Sequence, residues 1–180
     1  MGDRSRFPAA YVHYLVEFHA TRDYFECHEI LEEYWKEHPG DRYAELWVGL
    51  IQLAVGSYHH RRDNIAGAGK MFRQCLAKLS SAQEGLQELG LDGGQLLGLI
   101  TERITAIERQ ERFVDLELPL ADAALVALCQ EECRTKGLEW GAPSSSDEAL
   151  TNRHTLRDRS DVIAARKASA EAKTLQRKQH

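Results

Sequence analysis

One stretch of the chain gathers ionisable and aromatic residues at helical spacing: Tyr24-Phe25-Glu26-Cys27-His28-Glu29-Ile30-Leu31-Glu32-Glu33-Tyr34-Trp35. At about 100° per residue, Tyr24, Leu31 and Trp35 define an apolar direction. His28 lies inside that sector. Glu29 and Glu32 fall at its edge, while Glu26 and Glu33 point to water. A carboxylate turned inward needs a partner, because alone it is strongly disfavoured or takes up a proton. His28 and Glu32 are one turn apart and can supply each other.

A second stretch, Leu46 to Tyr58, is apolar nearly all round and reads as a central, buried helix. Gly49 and Gly56 lie on one side of it and would let another helix come close. Gln52 and His59, seven residues apart, stack on one face and need partners if buried. The short connection between the two stretches makes them expected neighbours. His28, Glu29, Glu32, Gln52 and His59 are therefore expected to converge.

Two imidazoles and a carboxylate on facing helices suit a divalent transition metal such as zinc, iron or manganese. In that reading His28, Glu32 and His59 are metal ligands, and Glu29 and Gln52 are catalytic. An open coordination position would lower the pKa of bound water, with a glutamate as general base. The alternative is a buried polar network that only holds two helices in register. The spacing is neither His-Glu-x-x-His nor the paired Glu-x-x-His of di-iron bundles.

Phe25-Glu26-Cys27-His28-Glu29 with Leu31-Glu32 and Trp35, then Gly49-Leu50-Ile51-Gln52-Leu53-Ala54, then Tyr58-His59 and Asn64 with Gly67-Ala68, form three ordered blocks. Together they resemble the bacterial and archaeal family called domain of unknown function 309, over about residues 10–115. The resemblance implies a compact helical domain whose characteristic polar positions are His28, Glu29, Glu32, Gln52, His59 and Asn64. Members are commonly uncharacterised, and sometimes labelled predicted metal-dependent hydrolases, so the resemblance also implies that activity. The chain departs from the family pattern in an extra glycine, Gly69, and in a long C-terminal extension.

The elements that must position these residues are all helical, and strand-like alternation is absent. The pattern predicts an all-α array or bundle of about five helices, plus a shorter one. Pro8 opens the first, about 8–20, with His13 and Glu17 as a solvated pair. Asp23 caps a second, about 23–37, and Glu26 gives something close to a capping box. Pro39-Gly40 stops it. A third runs about 41–62, with His60 turned toward the helix surface and Arg61-Arg62 favouring its C-terminus. Asn64 caps a fourth, about 65–80. Asp92-Gly93-Gly94 precedes a fifth, about 95–113, with a stripe of Leu96, Ile100, Ile104, Ile107 and Val114. The shorter helix spans about 120–136 and ends at Gly137.

The chain has 180 residues, 43% hydrophobic and 28% charged, which fits one ordinary globular domain. Residues 1–141 read as that domain. Residues 142–180 read as a Pro143-Ser144-Ser145-Ser146 linker and a charged tail, disordered or transiently helical. The tail carries 8 Lys/Arg against 5 Asp/Glu, and the rest 15 against 23. An acidic body poorly matches a phosphate backbone, so nucleic acid is not an expected partner of the main domain. A protein partner, a second copy of the chain or a small molecule is compatible with the pattern. Trp35, Tyr34, Trp47 and Tyr43 read equally as partner surface or core.

Cys27, Cys75, Cys129 and Cys133 form no Cys-x-x-Cys pair and are expected as free, buried thiols. No apolar run is long enough to cross a bilayer, and the N-terminus lacks a signal-peptide core, so a cytoplasmic location is expected. No phosphate-cradling loop, dinucleotide fingerprint or nucleophile elbow occurs, so no nucleotide cofactor is expected.

Overall fold

A computed structural model describes residues 6–145. It is all-helical. Helix α1 (Ala9–Val16) continues into a π-helical turn (Glu17–Thr21). Then come α2 (Tyr24–Glu37), α3 (Ala44–Arg61), α4 (Ile65–Ser80), α5 (Gln83–Glu88), α6 (Gly93–Glu108) and α7 (Ala123–Lys136). The tail expected beyond Ser145 lies outside the described residues.

The helix starts follow from side-chain capping of amides that a helix leaves unsatisfied. Asp23 accepts from Glu26 N at 3.0 Å, Asn64 from Gly67 N at 3.1 Å and Asp92 from Gln95 N at 3.0 Å. Asp122 does the same for Ala124 and Leu125. Gly137 ends α7 in the left-handed conformation, φ 65°.

Helix α3 lies at the centre, packed against α2 on one side and α4 on the other. Trp47, Leu50, Leu53 and Ala54 are fully buried on it. Tyr14 of α1 donates to the Leu50 carbonyl at 2.7 Å, tying the core's aromatic layer to this helix. Gly56 meets the ring of Phe72 on α4 so closely that a Cβ there would sit 2.8 Å from Cδ2. Glycine thus sets the α3–α4 spacing. All four cysteines are free and buried.

Four expectations need correction. Helix α6 begins at Gly93 and stops at Glu108, so Val114 leaves the stripe and is 66% exposed. A short helix, α5, occupies the stretch between the expected fourth and fifth helices, where the pattern predicts none. His13 and Glu17 do not form a solvated pair: His13 lies 3.3 Å from Glu132 of α7, and Glu17 accepts from Thr21. His60 is buried, 1% exposed. Its burial comes from a segment far along the chain, which a helical wheel does not contain.

That segment, residues 109–122, runs without regular structure between α6 and α7 and crosses one end of the core. His60 Nε2–H donates to Glu111 O at 2.9 Å. His19 Nδ1–H donates to Leu15 O at 2.7 Å, and its Nε2 accepts from Leu118 N at 2.9 Å. Arg22, 1% exposed and left-handed at φ 57°, donates to Leu116 O at 3.1 Å, Ala142 O at 2.8 Å and the Glu117 carboxylate. Left-handed backbone costs a non-glycine residue about 1–2 kcal/mol, and these three acceptors offset it. The chain folds back through Ser144, whose amide donates to Asp115 at 2.8 Å.

Two outcomes follow from this packing. Gly56→Ala gains about 1 kcal/mol in helix propensity but crowds the rigid Phe72 ring, so urea unfolding should show a net loss of about 1–2 kcal/mol. Burial pushes the pKa of His19 down to about 4. The unfolded chain binds that proton near pH 6.5, so stability is full above pH 6.5 and falls as pH drops toward 4. Burial lowers the pKa of His60 in the same direction. Urea midpoints at pH 7 and pH 5 should differ by about 2 kcal/mol in stability, and His19→Gln should reduce the difference.

Candidate functional site

Helices α2 and α3 hold between them a cavity of about 210 Å³, lined by Tyr24, Phe25, His28, Val55, Tyr58, His59 and Arg62. Larger hollows of about 480 and 510 Å³ flank α5. They are walled largely by exposed residues such as Glu84, Gln87 and Glu88, and in the first of them Arg42 and Tyr43 both donate to the Glu88 carboxylate. The smaller cavity brings two histidines and an arginine together with three aromatic rings.

Each polar group on its wall has a defined setting. His28 Nε2 lies 2.6 Å from Glu32 Oε2, one turn along α2. The other Glu32 oxygen lies 2.8 Å from Lys36 Nζ. The Lys36 hydrogen bond and the His28 and Lys36 charges hold the Glu32 pKa down against the opposing effect of burial. His59 Nδ1 lies 3.1 Å from Asn64 Nδ2. Burial first, and then the charge of Arg62, lowers the His59 pKa. The Arg62 guanidinium stands 5.3 Å from the centre of the Tyr58 ring. Phe25 packs on both His28 and Tyr58, with ring centres 5.7 Å apart in each case.

Of the five residues expected to converge, His28 and His59 line this cavity and Glu32 stands behind His28. Glu29 is half-buried on α2 and outside the lining. Gln52 is turned to α4, where its amide donates to Gln74 at 3.2 Å, and its own buried Oε1 accepts no hydrogen bond among the described residues. No three His, Cys, Asp or Glu side chains among the described residues are grouped as a metal ion would need.

Sequence reasoning passed over a second polar cluster beside the cavity. Tyr24, fully buried, donates to Asp115 at 3.1 Å. Arg61 Nη1 donates to Arg22 O at 2.7 Å, and its guanidinium stacks 4.5 Å over the Tyr24 ring. Arg103 lies 5.4 Å over Phe113 and reaches toward His60 Nδ1 at 3.5 Å. These groups clamp the 109–122 segment onto the helices. Little local in the sequence signals this, because Tyr24 and Asp115 are 91 residues apart and His60 and Arg103 are 43 apart. Of the four aromatics weighed as partner surface, Trp47 is wholly core and Trp35 is 36% exposed.

A helical domain with a histidine-walled cavity beside its central helix is the class that the fold and site define. The chain belongs to the family described as Domain of unknown function (DUF309), whose pattern matches residues 11–71. It is 49% identical, over 166 residues, to the uncharacterized protein YpuF of Bacillus subtilis (strain 168). The match covers 92% of this chain and 95% of that protein. No solved structure matches the chain. Among the described residues, no helix is long and apolar enough to cross a membrane.

The His28–Glu32 contact is a partly exposed pair one turn apart, a kind worth less than about 1 kcal/mol. His28→Ala should therefore lower stability by no more than about 1 kcal/mol in urea unfolding. A loss of about 3 kcal/mol would mark the pair as a structural network instead.

Proposed function

We propose that this protein is a small-molecule-binding module whose ligand enters the cavity between α2 and α3. The observation that carries this reading is the composition of one wall. Phe25, Tyr58 and Val55 supply apolar surface, and His28, His59 and Arg62 supply a few polar groups. Ligand sites are concave and mostly apolar, with a small number of placed polar groups that fix orientation. At about 210 Å³ the cavity suits a ligand of roughly seven water volumes, each about 30 Å³.

A second reading, a metal-dependent hydrolase, is favoured by one specific contact. His28 donates through Nε2 to the Glu32 carboxylate, the arrangement that orients metal-bound imidazoles from behind. His28 through Nδ1 and His59 would be the ligands, with Glu32 as the orienting carboxylate. The metal would supply Lewis acidity to a bound water. Glu29 would act as general base, and Gln52, held by Gln74, would have to turn to take part.

Thermal unfolding of the full chain against a panel of small aromatic and aliphatic compounds tests the first reading. A ligand at about 100 times its Kd should raise Tm by roughly 5–10 °C. Val55→Phe, which fills the cavity, should abolish the rise. A Tm response that survives the filling variant would remove the cavity from the account. Elemental analysis of wild type beside His28→Ala/His59→Ala tests the second. A near-stoichiometric transition metal, lost in the double variant, is its expected result, and no metal in either after reconstitution overturns it.

A further inference from the structure

The end of α3 and the cap of α4 set the chemistry of the ligand, an inference that rests on the ligand-pocket reading. Asn64 uses its Oδ1 to accept the Gly67 amide as the helix cap. That fixes which end of the amide faces the other way. Its Nδ2, a donor only, is presented to His59 Nδ1. Gly67 makes this possible, since a Cβ there would stand 2.8 Å from Asn64 Nδ2. His59 Nδ1 must then accept, and the proton of the neutral ring belongs on Nε2. The polar atom that His59 has left to offer in the cavity is a hydrogen-bond donor.

The charge that bears on that donor has its sign. Arg62 bears on His59 electrostatically and lines the same cavity. On α2 the Glu32 carboxylate is held by His28 and Lys36. Phe25 and Tyr58 give the remainder of the wall two ring surfaces. An apolar cavity of about 150 Å³ holds a benzene molecule. The present 210 Å³ leaves room for one further small group.

We infer that the pocket takes a small planar carboxylate. Its anionic end is received by His59 Nε2–H beside Arg62, and its ring lies against Phe25 and Tyr58. His59 is a binding residue here, and Asn64 is a positioning residue that acts through it.

Long-range proton–nitrogen NMR of the full-length protein reads the tautomer directly, and the Nε2–H form of His59 is expected. The Nδ1–H form would overturn the inference, because it leaves a bare Nε2 facing the ligand. Benzoate and benzamide, matched in shape and differing in charge, are then titrated while the Phe25, Tyr58 and His59 resonances are followed. Benzoate should saturate these shifts and bind about tenfold more tightly than benzamide, as charge-assisted hydrogen bonds are the stronger kind. Arg62→Gln should weaken benzoate about tenfold and leave benzamide nearly unchanged. Asn64→Asp keeps the helix cap but draws the ring proton to Nδ1, so it should weaken benzoate with the fold intact. Benzamide binding as tightly as benzoate would overturn the carboxylate assignment and leave the pocket reading standing. Failure of both compounds to move the pocket resonances would overturn the pocket reading together with the inference.

Discussion

A helix that is apolar on every side has to be covered on every side, and α3 imposes that condition on the whole chain. Helices α2 and α4 flank it, and the glycine at 56 lets α4 lie close. The C-terminal end of α3 is the hard part, because helix ends carry unsatisfied carbonyls and here also His60, Arg61 and Arg62. The chain covers it with the irregular segment after α6. Backbone outside regular structure needs side-chain partners. His19 and Arg22, at the π turn, and His60, in α3, provide them from two distant places in the sequence.

The candidate pocket is a by-product of the same condition. Between α2 and α3, around Phe25, Val55 and Tyr58, the cover leaves a small cavity. Apart from His28, its ionisable groups come from the C-terminal end of α3, where a helix naturally carries cationic residues. The chemistry of the pocket is therefore set less by α2, whose His28 and Glu32 satisfy each other, than by the junction between α3 and α4.

Much of this was legible in the sequence, and for local reasons. Asp23, Asn64, Asp92 and Gly137 mark helix ends through short-range capping, which a linear pattern records. The all-round apolar character of Leu46–Tyr58 announced the central helix. His28, Glu32 and His59 were marked out by periodicity, and two of them share a cavity. Legibility failed where burial is set by distant chain. His60 looked exposed because the cover on it begins at Glu111. Gln52 was expected to face α2, but a residue on a helix buried all round has neighbours in every direction, and its amide found Gln74 on α4. Arg22 gave no sign of its role, since its acceptors at Leu116 and Ala142 are about a hundred residues away.

The π-helical turn from Glu17 to Thr21 has a consequence for how chain length can vary. A π turn holds one residue more than an α turn spanning the same gap. Removal of a single residue between Glu17 and Thr21 would regularise the helix and leave α1 and α2 where they are. The loss would fall on the widened turn itself, where His19 reaches back to Leu15 and receives the Leu118 amide. Lineages that shorten this turn by one residue would have to find another anchor for the strand of chain that closes the core.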